Sequence, residues 1–119
     1  AMAERTIEIQ GDGTPLRSYM YAADLAEWLW VTLFRGRNRR AYNVGGDTAI
    51  SIEELARLTA TTLGSGSLVR VAKLAESGQP ISRYLPDTSR ARNELDLHQR
   101  IQLQEAIRRT ADWAKRTMP

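Results

Sequence analysis

Residues able to move protons, attack a substrate or bind a metal are few in this sequence. The chain has no cysteine, which excludes disulfides, thiolate metal sites and a cysteine nucleophile. Its one histidine, His98, excludes a His-His metal pair and has no recognisable partner, so we interpret it as a surface residue. Glu53 and Glu54 are adjacent, and adjacent residues on a helix do not face each other. We therefore predict no catalytic residue and no metal ligand.

The residue spacings that are typical of an activated tyrosine and of a glycine-rich phosphate-binding loop are absent from the sequence. None of the four tyrosines has a lysine four residues later, which argues against proton transfer by an activated tyrosine. The glycine pairs form neither the G-x-G-x-x-G pattern nor a P-loop, and we predict turns and helix ends instead. These pairs are Gly11/Gly13, Gly45/Gly46 and Gly64/Gly66.

The basic side chains suggest an anionic partner. Seventeen Lys and Arg against fourteen Asp and Glu give a net charge of +3, and fifteen of the seventeen are arginine, whose planar fork of donors suits phosphate and carboxylate. Only Arg35, Arg37, Arg39 and Arg40 cluster, and such runs are usually solvated loops. A free-standing basic module for nucleic acid or an acidic partner remains an alternative, although no motif with a defined docking mode supports it.

The size and hydropathy indicate a single soluble domain. The chain has 119 residues and 42% hydrophobic residues, an ordinary globular composition. No apolar run approaches the roughly 18–20 residues that a membrane span needs, and no signal peptide opens the sequence. We expect a cytoplasmic protein.

Hydrophobic periodicity and turn residues predict about four helices with short strands. Ser51 and Glu54 form a capping box at the start of the second helix, and Gly36 is expected to end the first helix in a left-handed conformation. The predicted helices are Ala23–Arg35, about 51–63, about 88–95 and Leu103–Lys115. The predicted strands or extended segments are Thr6–Ile9, Arg17–Tyr21, Ala41–Val44 and Leu68–Val71.

The helix Ala23–Arg35 has apolar residues on all sides rather than along one stripe. A helix of this kind is normally covered on more than one side. A chain of this length can hardly supply two covering layers. A purely structural alternative is therefore an interaction domain that uses this helix as its interface.

Four segments carry recognisable motifs in a particular order. Gly11–Ala26 reads G-D-G-T-P-L-R-S-Y-M-Y-A-A-D-L-A, Tyr42–Gly46 reads Y-N-V-G-G, Ser51–Leu55 reads S-I-E-E-L and Pro86–Leu95 reads P-D-T-S-R-A-R-N-E-L. In this order the chain resembles the extended short-chain dehydrogenase/reductases, the NAD-dependent epimerases and dehydratases that act on nucleotide sugars. The motifs cover nearly the whole chain.

The resemblance implies a fold for this chain and a role for it within a larger enzyme. Residues 1–119 would be the α/β carboxyl-terminal, substrate-side segment of a Rossmann-type enzyme, without the dinucleotide-binding domain and its catalytic Ser/Thr, Tyr and Lys. NAD or NADP would serve the intact enzyme, in which a hydride passes from the sugar to the nicotinamide. This segment would bind no cofactor and be inactive by itself. Its ligand would be a nucleotide-diphosphate sugar, not nucleic acid or membrane.

The same resemblance implies substrate-binding residues. Arg17 matches the arginine that contacts the diphosphate, Asn43 matches an asparagine that reaches the substrate, and Tyr84 matches a position lining the sugar pocket. The family's R-x-G-[DH] stretch is replaced here by Glu76–Pro80, which has no arginine, so we expect Arg83 to substitute for it.

The apolar helix would belong to the nucleotide domain's layers in such an enzyme, and by itself it would lose part of its cover. We therefore expect the chain to form homo-oligomers or to swap elements.

Overall fold

The computed structural model describes residues 6–64, 68–75, 78 and 80–117. Four helices alternate with short strands, as the sequence predicts. The helices are α1 (Ala22–Arg35), α2 (Ile52–Thr62), α3 (Ser89–Leu95) and α4 (Leu103–Thr117). The strands are β1 (Ile7–Ile9), β2 (Leu16–Arg17), β3 (Ile50–Ser51), β4 (Val69–Val71) and β5 (Arg83–Tyr84). Gly66 and part of the Glu76–Pro80 stretch lie outside the described residues.

The strands form two small sheets. β1 pairs in parallel with β4. In the second sheet β2 is central, antiparallel to β3 and parallel to β5. Parallel pairing joins segments that are far apart in sequence, and here it places residues 16–17 beside residues 83–84.

The largest buried side chain is Trp28 on α1, which is 2% exposed. It packs in a cluster with Ala91 and Leu95 of α3 and with Leu97. Its indole Nε1–H donates to the carbonyl of His98 at 3.4 Å. The cluster therefore fixes α1 against α3 and the segment that follows it.

The capping box at the start of α2 is confirmed. Ser51 Oγ accepts from the Glu54 backbone N–H at 3.1 Å, and the Glu54 carboxylate accepts from the Ser51 N–H at 2.9 Å. These two bonds hold the pKa of Glu54 below its usual value. The local sequence is sufficient here because both partners lie within one turn.

The expected left-handed Gly36 is wrong. Gly36 has φ −63° and ψ 143°, an extended conformation, and its N–H donates to the Thr32 carbonyl. A Cβ at this position would lie 2.3 Å from that carbonyl oxygen. Glycine is needed here for the close approach of the chain to the end of α1, not for a positive φ.

The expected strand at Ala41–Val44 is also not formed in the described chain. A strand needs a neighbouring backbone to share its hydrogen bonds. The described backbone supplies none at this segment, whose Tyr42 and Val44 instead pack against the Trp28 cluster.

Asp24 lies in the first turn of α1 but does not cap that helix. Its Oδ2 accepts from the backbone N–H groups of Arg100 and Ile101 at 3.1 and 2.9 Å, and the residue is only 4% exposed. The carboxylate thus ties α1 to the segment that leads into α4.

The apolar residues of α1 lie on two opposite faces. The inner face carries Trp28, while the outer face leaves five large side chains 39–76% exposed. These are Leu25, Leu29, Trp30, Leu33 and Phe34. The chain is also flat, 47 × 44 × 18 Å, and the described residues supply no second layer over the outer face. Within the described part, no helix is long and apolar enough to cross a membrane.

Candidate substrate-binding site

The pairing of β2 with β5 brings two of the predicted site residues together. Arg17 is the register partner of Tyr84, and Leu16 is the partner of Arg83. Side chains of paired residues point to the same face of a sheet and alternate along each strand. Arg17 and Tyr84 therefore share one face, whereas Arg83 lies on the face that carries Leu16.

The guanidinium of Arg17 is held in place by the neighbouring strand. One terminal nitrogen donates to the carbonyls of Leu16 and Ser82 at 2.7 and 3.2 Å, and the other donates to Ser82 Oγ at 3.3 Å. Arg17 forms no ion pair with a carboxylate of the described residues. Since a guanidinium has five N–H donors, Arg17 is both oriented and able to bind an anion. Nothing in the sequence pointed to Ser82.

The ring of Tyr84 is available to a ligand, because the residue is 71% exposed. The arrangement of a fixed cation and an exposed ring on one face suits a ligand with an anionic group next to a planar or sugar ring. Arg83 stays a predicted site residue, but the register does not place it beside Arg17 on this face.

Asn43 lies in a different polar pocket. Its Nδ2 donates to the carbonyl of Asp87 at 2.9 Å, just before α3. This pocket has a volume of about 260 Å³ and contains neither Arg17 nor Tyr84. The structure thus uses the Asn43 amide to hold the chain entering α3, and its contact with substrate stays a prediction.

Tyr19 lines two larger cavities, each of about 530 Å³. One is an apolar groove between α2 and α4, lined by residues such as Leu55, Leu103 and Ile107. The other has a more polar lining that includes Asp47 and Glu54. Neither includes Arg17, so neither groove extends the basic site.

The glycines of the Y-N-V-G-G motif lie close to other parts of the chain. A Cβ at Gly45 would lie 2.6 Å from Pro86, and one at Gly46 would lie 2.4 Å from the Tyr19 carbonyl oxygen. Both glycines therefore serve the close packing of the chain. The described residues also contain no cluster of acidic or histidine side chains suited to a metal.

Arg40, Tyr42 and Glu94 form a polar cluster next to the Asn43 pocket. Arg40 Nε donates to Glu94 Oε2 at 2.8 Å, a second Arg40 nitrogen contacts Oε1, and the Tyr42 hydroxyl donates to Oε2 at 2.9 Å. The Arg40 hydrogen bonds hold the pKa of Glu94 below its usual value. The negatively charged Glu94 carboxylate on α3 therefore holds the Arg37–Tyr42 loop in place through its contacts with Arg40 and Tyr42.

Acid should weaken this attachment. A carboxyl whose pKa is lower in the folded state stabilises the fold above its unfolded pKa, and the contribution is lost as pH falls through the folded value. We expect the free energy of unfolding to fall from about pH 5 downward, and Glu94→Gln to flatten that fall. Urea unfolding at a series of pH values measures both curves. Glu8→Gln, at an exposed strand position, is the control, and an equal flattening there would contradict the assignment.

The sequence of the chain is similar to those of several known enzymes. A family model described as the NAD dependent epimerase/dehydratase family matches residues 1–45. The trifunctional UDP-glucose 4,6-dehydratase/UDP-4-keto-6-deoxy-D-glucose 3,5-epimerase/UDP-4-keto-L-rhamnose-reductase of Arabidopsis thaliana is 27% identical over 95% of this chain and 17% of its own length. The dTDP-glucose 4,6-dehydratase of Streptomyces antibioticus is 29% identical over 90% of this chain and 32% of its own. The chain is similar in sequence to NAD-dependent epimerases and dehydratases.

Solved structures share the fold of this chain. The UDP-glucose 4-epimerase of Thermotoga maritima, solved with UDP-glucose, superposes with a TM-score of 0.83 at 20% identity over 99% of this chain. The dTDP-glucose 4,6-dehydratase of Bacillus anthracis, solved with NAD, gives 0.81 at 21% identity over 96%. The chain spans 37% and 36% of those structures and at most about a third of the two sequence relatives. The predicted family resemblance and α/β fold are confirmed.

Proposed function

We propose that residues 1–119 are the carboxyl-terminal, substrate-binding segment of an NAD(P)-dependent nucleotide-sugar epimerase or 4,6-dehydratase. The segment orients the sugar nucleotide through its diphosphate and does not itself carry out the reaction. Arg17 and Tyr84 form the centre of the proposed site, and Asn43 and Arg83 stay predicted contacts that lie in another pocket and on the other face of the sheet.

The register of β2 and β5 carries this proposal. Arg17 and Tyr84 are 67 residues apart, yet pairing places them side by side on one face. A guanidinium gives a diphosphate strong charge-assisted hydrogen bonds, and Ser82 already orients this one. Fixing the substrate in this way lowers the entropic cost of reaching a reactive geometry.

The cofactor belongs to a part of the enzyme outside these residues. Gly45 and Gly46 are packed against Pro86 and Tyr19, and the sequence contains no G-x-G-x-x-G pattern for a dinucleotide. A nicotinamide supplies the hydride acceptor in such enzymes, and this chain contributes orientation of the substrate. The partial coverage of both structural relatives supports this division.

Replacing Arg17 tests the proposal. We expect UDP or dTDP, titrated into the ¹⁵N-labelled chain, to shift the backbone amide signals of β2 and β5. Arg17→Ala should weaken this binding about 10- to 100-fold, because a charge-assisted hydrogen bond contributes about 1.5–3 kcal/mol. Binding constants from the NMR titration measure the change.

Arg70→Ala is the matched control, since Arg70 is an exposed strand arginine on the other sheet. It should leave binding unchanged. Equal losses from both variants would support a general basic surface instead, as would equally strong binding of a single-stranded oligonucleotide with a steep dependence on salt. Unchanged binding by Arg17→Ala would refute the diphosphate contact.

A further inference from the structure

The guanidinium of Arg17 uses only part of its hydrogen-bonding capacity within the chain. A guanidinium has five N–H donors. Nη1 uses two of them on the carbonyl oxygens of Leu16 and Ser82, and Nη2 uses one on Ser82 Oγ. The two donors that are left are the Nε–H and the second N–H of Nη2. Neither of them has a partner among the described residues.

These two donors lie along one edge of the guanidinium. Ser82 contacts both terminal nitrogens and therefore occupies the end of the planar group. The Nε–H and the remaining Nη2–H point in parallel from its side, and two parallel N–H groups bind a carboxylate or a phosphate bidentately. The same edge of Arg40 binds the Glu94 carboxylate in this chain. The contacts with Ser82 therefore leave Arg17 with the edge that suits a phosphate.

The hydroxyl of Ser82 also has an unused donor. Ser82 Oγ accepts from Arg17 Nη2 at 3.3 Å, so its own proton points elsewhere, and it donates to no acceptor among the residues that the structure describes. A hydroxyl that accepts from a cation becomes a better donor, because successive hydrogen bonds polarise one another. Since Oγ lies beside Nη2, an anion on the open edge of Arg17 comes within reach of this third donor.

We propose that Ser82 is a second anion-binding residue, whose hydroxyl donates to the diphosphate that Arg17 holds through its Nε and Nη2 edge. This inference rests on the proposed function, because it takes Arg17 as the diphosphate contact. A diphosphate offers oxygens on two phosphorus atoms, so one set of oxygens fills the Arg17 edge while a neighbouring oxygen accepts from Ser82. Ser82 thus contacts the substrate in addition to orienting Arg17.

Removing the hydroxyl tests the contact. Ser82→Ala removes Oγ but keeps the backbone carbonyl that holds Arg17. In an NMR titration of the ¹⁵N-labelled chain it should weaken UDP binding about 10-fold, the loss typical of one hydrogen bond to a charged group. Ser82→Thr keeps a hydroxyl and should bind UDP as the parent chain does. Ser18→Ala is the control, because Ser18 adjoins Arg17 in sequence but forms no hydrogen bond with it in the described chain.

A double substitution separates direct contact from orientation. Combined with Arg17→Ala, Ser82→Ala should weaken UDP binding further, whereas it should change nothing more if Ser82 acts only through Arg17. The absence of a further loss, or an equal loss from Ser18→Ala, would overturn the proposal. A loss from Arg17→Ala with none from Ser82→Ala would overturn this inference and leave the proposed function standing. A parent chain that does not bind UDP, or no loss from either single variant, would refute both.

Discussion

Trp28→Ala should destabilise the chain more than any other single substitution considered, by about 3–5 kcal/mol. Trp28 is 2% exposed and is the largest side chain of the cluster that joins α1 to α3. Truncating a buried tryptophan costs about 3–5 kcal/mol, through the lost transfer free energy and the cavity that remains. Domains are stable by only about 5–15 kcal/mol. Five of the nine buried hydrophobic residues of the described chain are alanine, so its other buried contacts offset little of this loss.

Urea unfolding followed by far-UV circular dichroism measures the effect. Trp113→Ala is the matched control, because that tryptophan lies on α4 and is 53% exposed. We expect the control to change the free energy of unfolding by less than about 1 kcal/mol. Similar losses from the two variants would mean that the Trp28 cluster is not the centre of stability.

Asp24→Ala should be the second large effect, at about 2–4 kcal/mol. The substitution leaves the N–H groups of Arg100 and Ile101 without their acceptor at a site that is 4% exposed. A buried donor without a partner loses its hydration and gains nothing in return. The segment leading into α4 should loosen first, and hydrogen exchange at Arg100 and Ile101 should become faster.

The conservative variant separates the hydrogen bonds from general packing. Asp24→Asn keeps one acceptor oxygen and should recover part of the loss. Asp112→Ala, at an exposed position on α4, should have little effect. If Asp24→Ala were no more destabilising than Asp112→Ala, the carboxylate would not be what joins α1 to the start of α4.

Features governed by near neighbours in sequence could be predicted. All four helices follow from hydrophobic periodicity, and α2 begins where Ser51 and Glu54 predict, because both capping partners lie within one turn. The sequence also predicted that one face of α1 would be exposed in these residues, since apolar residues on all sides of a helix require more cover than a short chain supplies. The resemblance to the epimerases and dehydratases could be seen in the sequence for the same reason, because each of its motifs is local.

Features that need a distant partner could not be predicted. The segment Ala41–Val44 has the composition of a strand, but no described backbone lies beside it to complete a ladder. The hydrogen-bond partners of the Asp24 carboxylate lie 76 and 77 residues away, beyond the reach of any local pattern. Gly36 was assigned a positive φ, whereas the position is set by its distance from the Thr32 carbonyl.

The candidate site shows the same division. The sequence by itself determined the residue types, an arginine suited to diphosphate and a tyrosine suited to a ring, through motifs that each span a few positions. Only the tertiary structure decided which of them meet. The parallel register of β2 and β5 places Arg17 beside Tyr84 and leaves Arg83 on the other face of the sheet. It also places Ser82 where its carbonyl accepts a hydrogen bond from Arg17. Register is a property of two strands together, and a shift of one residue would exchange the faces.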